Sequence, residues 1–86
     1  MSADLLIDAI GWLGTVIYLI AYFLVSTKRV AGDSIPYQGM NIAAGLMLVV
    51  NTFYWHAYPS LGLNAAWIGI GLYTLSRRSA SHADQA

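Results

Sequence analysis

Cysteine is absent from this 86-residue chain, which removes disulfides, thiol nucleophiles and Cys-based metal sites. Charge is almost as scarce: 9% of residues are Asp, Glu, Lys or Arg, where a soluble domain carries about 25%. A surface facing water cannot be covered with so few charges, whereas one facing lipid needs none. The net charge of zero leaves no basic footprint for a nucleic acid. His56 and His82 lie far apart, with no carboxylate or second imidazole at ligand spacing, so no metal site is expected. The sequence holds no nucleophile–base pair, no phosphate-binding glycine loop and no paired carboxylates. The expectation is therefore a protein that is not an enzyme and takes no cofactor.

What the chain does have is apolar length: 58% of it is hydrophobic, gathered into three runs. The first covers about Leu5–Ser26, roughly 33 Å as a helix, enough for a hydrocarbon core of about 30 Å. The second covers about Tyr37–Ala57, with Pro36 suited to its first turn, where a missing N–H is no loss. The third, about Leu61–Ser76, is shorter at roughly 24 Å; the alternatives are a start nearer Pro59 or a bilayer thinned around it. Unpaired backbone groups are not tolerated in lipid, so the runs should be helices. The expected fold is all-α, three transmembrane helices in one domain over residues 1–78, with a disordered polar tail at 79–86.

Lys28 and Arg29 follow the first run, and Arg77 and Arg78 follow the third. No Lys or Arg precedes the first run or joins the second to the third. Basic flanks stay cytoplasmic, which predicts a multi-pass protein of the bacterial inner (cytoplasmic) membrane, N-terminus out and C-terminus in. The first run is not read as a signal peptide, because it opens on Asp4 and Asp8 rather than on basic residues and is too long.

With no charge in the middle of any run, polar and small residues become the candidates. Asn51 shares a helical stripe with Ala44, Met47 and Trp55, and Asn64 shares one with Trp67 and Gly71. Both fall in the outer half of the membrane and are expected to face each other across the second hairpin. Their carboxamides offer donor and acceptor together, suited to a neutral polar solute or, equally, to helix–helix bonding. Asn41, nearer the cytoplasmic end, reads as structural, and Asp8 as a cap or interface charge. Trp12 and the Phe53–Tyr58 group form an outer aromatic belt, with Tyr37 and Tyr73 at the inner side; Trp55 and Tyr58 beside His56 are alternatively the wall of an outer vestibule. Thr15, Tyr18 and Tyr22 form a polar stripe that should face the bundle interior. Gly11 and Gly14, then Gly39, Ala43 and Gly45, then Ala65, Gly69 and Gly71 give each run a small-residue surface for close packing.

This arrangement resembles the bacterial SemiSWEET transporters of the MtN3/saliva and PQ-loop group. The stretches that carry the resemblance are Thr27-Lys28 followed by Asp33-Ser34-Ile35, and Trp55 to Asn64, similar to that group's TK…DIS and YG…P…AN patterns. A closer likeness is to a set of small three-helix bacterial membrane proteins with the pattern IPYQ…N…YPS…N…W, present here from Ile35 to Trp67. The SemiSWEET resemblance implies a parallel homodimer of two three-helix repeats around a central path, with Asn64 contacting solute and Asn51 and Trp55 near it; Trp67, on the Asn64 stripe, would stack on the solute or gate it. The PQ motif of the first span is missing, its place taken by Leu19-Ile20, so rocking would fall to Gly11 and Gly14. The implied activity is facilitated passage of a small neutral, sugar-like solute by alternating access. The alternative is a non-transporting accessory subunit that packs on a larger membrane partner.

Overall fold

In the computed structural model the backbone is described for residues 2–85 and the side chains for residues 2–78. It folds into three helices: α1 Ala3–Ser26, α2 Ile35–Tyr54 and α3 Tyr58–Gln85. Each boundary has a local cause. The Ser2 hydroxyl accepts the Leu5 N–H at 3.2 Å and starts α1. The Ser34 hydroxyl accepts from Tyr37 N–H at 3.3 Å, with Pro36 in the first turn of α2. These caps satisfy donors that a helix start would otherwise leave unpaired.

Both α1 and α2 end in the same device. At the end of α1, the Arg29 N–H reaches the Leu24 carbonyl at 2.9 Å and the Lys28 N–H reaches the Val25 carbonyl at 3.2 Å. At the end of α2, the Ala57 N–H reaches Thr52 at 2.8 Å and the His56 N–H reaches Phe53 at 3.3 Å. That pairing is the Schellman motif, whose turning residue adopts a left-handed conformation. Lys28 has φ 60° and His56 φ 59°, where glycine is the usual occupant.

The third helix takes the earlier of the two expected starts and departs from expectation at its C-terminal end. It begins at Tyr58 and continues through the predicted disordered tail to Gln85; residue 86 lies outside the described residues. Pro59 fits a first helical turn, and beyond Gly71 the sequence holds no Gly or Pro to stop the helix.

α2 is the middle element. It packs along α1 on one side and α3 on the other, while no Cα of α1 comes within 8 Å of one of α3 among the described residues. Close approach depends on glycine. An added Cβ at Gly14 would lie 3.1 Å from the Ala44 carbonyl oxygen, and one at Gly45 would lie 2.6 Å from Ile68 Cγ1. Gly11 meets Asn51 and Gly71 meets Gln38 in the same manner. Gly69, read from sequence as a packing residue, has nothing within 4 Å of its Cβ direction, and neither do Gly39 and Gly62. The Gly39–Ala43 and Ala65–Gly69 faces are exposed on the bundle's outside.

The distribution of polarity is inverted relative to a water-soluble bundle. Among the described residues, the fully buried apolar side chains are only Ala21 and Ala44, while Gln38, Asn41, Thr52 and Asn64 are buried. Large apolar residues such as Trp12, Leu19, Phe23, Leu46, Phe53, Leu63 and Leu72 point outward from all three helices. By length and composition, α1 is the one helix among the described residues long and apolar enough to cross a membrane. α2 is broken up by Gln38, Asn41 and Asn51, and α3 is diluted by its polar last turns.

Candidate functional site

Because the backbones of α1 and α3 flank α2 without approaching each other, a groove opens between them with α2 as its floor. It has a volume of about 340 Å³ and is lined by Tyr18 and Tyr22 of α1, Tyr37 and Asn41 of α2, and Leu63, Asn64 and Trp67 of α3. That size is at the small end for ligand sites, which run roughly 300–1,000 Å³. Its character is apolar aromatic walls with a few convergent polar groups, the usual composition of a small-molecule site.

Two carboxamides supply the polar groups. Asn64 is 9% exposed; its Oδ1 accepts from the Tyr18 hydroxyl at 3.2 Å, and its Nδ2 donates to the Ser60 carbonyl at 2.9 Å. It is thus anchored on α3 and fixed in orientation, with one Nδ2 proton left over. Asn41 is 5% exposed and has no hydrogen-bond partner among the described residues. No buried side-chain nitrogen or oxygen among them is left unsatisfied, so the Asn41 amide atoms lie open to the groove they line. A carboxamide held in an apolar wall without a partner has hydrogen-bonding capacity that a ligand can satisfy.

The residues singled out from sequence divide between two places. Asn64, Trp67, Tyr18 and Tyr22 meet in the groove. Asn51 and Trp55 do not. The Asn51 Nδ2 donates to the Ile7 carbonyl of α1 at 2.9 Å, so this carboxamide ties α2 to α1 and does not face Asn64. The Trp55 indole N–H donates to Asp8 at 3.0 Å, and the Tyr54 hydroxyl donates to Asp4. Asp8 is therefore not the cap of α1, which is Ser2; it is part of a fastening between the start of α1 and the end of α2. His56 and Tyr58 contact each other at 3.1 Å at the same end. Thr15, on the α1 stripe, donates back to the Gly11 carbonyl at 2.9 Å and does not line the groove.

Asn41 is the groove residue that sequence reasoning set aside as structural. Its signal was available: it lies on the same α2 face as Gln38, Ala44 and Gly45, the face that is buried. Its place near the end that carries Lys28 and Arg29 obscures that signal.

No curated protein matches the chain, and no solved structure matches it. A protein-family model does match, over residues 7–82. That span takes in all of α2, most of α1 and α3 and every residue of the groove, and the chain belongs to this uncharacterised family.

Proposed function

We propose that this protein is a three-span membrane protein whose copies pair in parallel to enclose the groove and pass a small neutral polar solute through it. The membrane reading is supported by the inverted polarity: buried Gln38, Asn41, Thr52 and Asn64 within an outer surface of large apolar side chains. Contiguous apolar surface on that scale is not tolerated in water. The orientation, N-terminus out and C-terminus in, in the inner membrane of a bacterium, is supported by Lys28, Arg29, Arg77 and Arg78 standing at one end and Asp4 and Asp8 at the other.

The solute reading rests on one observation, the partnerless Asn41 carboxamide opening into an aromatic-walled groove beside Asn64. The groove is open along one side, as three helices leave it. A second copy, as the SemiSWEET resemblance implies, supplies the missing wall, and six helices are enough to line a path. The absence of carboxylate from the groove lining favours passage down a gradient over proton coupling. The test is uptake by vesicles reconstituted with the purified protein. Asn64→Ala and Asn41→Ala are expected to abolish uptake while the dimer survives; uptake that persists in both variants overturns the site.

A second reading, the accessory subunit, is favoured by the exposed Gly39–Ala43 and Ala65–Gly69 faces, which nothing in the bundle covers. Such small-residue faces admit another helix closely. It predicts stoichiometric co-purification with a second membrane protein and no flux in reconstituted vesicles.

A further inference from the structure

At the end of the bundle away from Asp4 and Asp8, Asp33 of the α1–α2 link and Tyr73, Thr74, Arg77 and Arg78 of α3 line a second, more polar hollow of about 420 Å³. We propose that this hollow holds the headgroup of an anionic phospholipid of the cytoplasmic leaflet, its phosphodiester between the guanidinium groups of Arg77 and Arg78. This inference rests on the membrane reading above and is independent of the solute reading.

Four observations carry it. First, the chain's four Lys and Arg residues all stand at this end: two in the hollow, and Lys28 and Arg29 on the link that supplies Asp33. Second, Asp33 is the one carboxylate among the residues that line the hollow. With one carboxylate, Asp33, against two guanidiniums, the lining is net positive. Guanidinium is the side-chain group best matched to phosphate oxygens, because its planar fork donates two parallel hydrogen bonds. Third, Arg77 is steered: its guanidinium carbon lies 6.0 Å from the centroid of the Tyr73 ring, and Tyr73 is itself exposed on the outside of α3. An exposed tyrosine at the end of an apolar helix marks headgroup depth, so Arg77 is held where phosphates are. Fourth, Arg29, on the link that supplies Asp33, has its guanidinium carbon 5.7 Å from the centroid of the Phe23 ring on α1, a further cation at this end of the bundle. A lipid is preferred to a soluble phosphate because the hollow adjoins the outward apolar surface of α3, along which acyl chains would lie.

The experiment uses the full chain reconstituted in vesicles of equimolar phosphatidylcholine and phosphatidylglycerol, then extracted into mild detergent, with co-purifying lipid quantified. Wild-type protein is expected to carry phosphatidylglycerol in clear excess. Each guanidinium removed, Arg77→Gln or Arg78→Gln, is expected to lower the enrichment about five-fold, and Asp33→Asn to raise it. Raised salt should erode the enrichment. Arg77→Lys with Arg78→Lys keeps the charge without the fork and should fall between wild type and the Gln variants. Unselective carriage of the two lipids by wild-type protein overturns the proposal. So does enrichment unchanged in both Gln variants, provided their helicity matches wild type. Displacement of the lipid by millimolar inorganic phosphate assigns the hollow to a soluble anion and overturns it too. Resistance of the protein to alkaline extraction from the vesicles reads the membrane assignment separately: full extraction overturns both, whereas retention without lipid selectivity overturns only this one.

Discussion

The Tyr18 hydroxyl on α1 donates to Asn64 Oδ1 on α3 at 3.2 Å, across a gap that the two backbones never close. It is the direct hydrogen bond between the first and third helices among the described residues, and it lies at the groove. Tyr18→Phe removes the donor and keeps the ring. A side-chain hydrogen bond contributes about 0.5–1.5 kcal/mol, so the fold should lose about 1 kcal/mol. The freed Asn64 oxygen should change solute uptake more than it changes stability, a separation visible by comparing denaturant midpoints with uptake rates.

The two tight carboxamides are expected to behave oppositely. Asn51 is engaged by α1 through the Ile7 carbonyl, and Asn51→Ala should cost about 1 kcal/mol of stability with uptake per folded molecule unchanged. Asn41→Ala removes no hydrogen bond made by the described residues and should leave the unfolding midpoint nearly where it was, while uptake disappears. If Asn51→Ala removes uptake from well-folded protein, the groove is misplaced.

Glycines that look alike in sequence should separate on substitution. A Cβ at Gly45 meets Ile68 at 2.6 Å, and Gly45→Ala should destabilise by about 1–3 kcal/mol, as overpacking does. Gly69→Ala meets nothing within 4 Å and should stabilise the helix by about 0.5–1 kcal/mol. If a second copy or a partner packs on that face, the bulkier Gly69→Leu should disperse the complex without unfolding the bundle, which size-exclusion chromatography in detergent would read.

The left-handed turn residue at the end of α2 offers a gain. His56 holds φ 59°, a conformation that costs a side-chain-bearing residue about 1–2 kcal/mol relative to its ordinary range. His56→Gly relieves this, offset by glycine's greater loss of entropy and by the lost contact with Tyr58. The expected net is a stabilisation of about 0.5–1 kcal/mol, measured as a raised thermal midpoint.

Much of this architecture follows from residue order. Pro36 marks the start of α2, the apolar runs mark the helices, and Gly11 and Gly14 mark a close contact. Asn64 and Trp67 share a face, as their spacing indicates, and Tyr18 and Tyr22 line the same groove, although Tyr22 is exposed rather than interior. Periodicity, however, says which residues share a face and not which neighbour that face meets. The Asn51 stripe was assigned to α3 and belongs to α1, because which helix occupies the middle of three is decided by packing between helices. For the same reason Gly69 reads as a packing glycine and is not one within the bundle. The tail misled for a different reason: polarity says that residues 79–85 do not need burial, and says nothing against their continuing a helix already begun.

The central position of α2 has a consequence for how the chain is made. Each of the two helix–helix interfaces joins elements adjacent in sequence, and among the described residues only the Tyr18–Asn64 hydrogen bond ties α1 to α3. A topology of local contacts folds fast, and synthesis from the N-terminus favours the same order. The α1–α2 hairpin, fastened by Asn51 to Ile7 and by Trp55 to Asp8, can close while α3 is still being made, leaving the last helix to dock on a finished template.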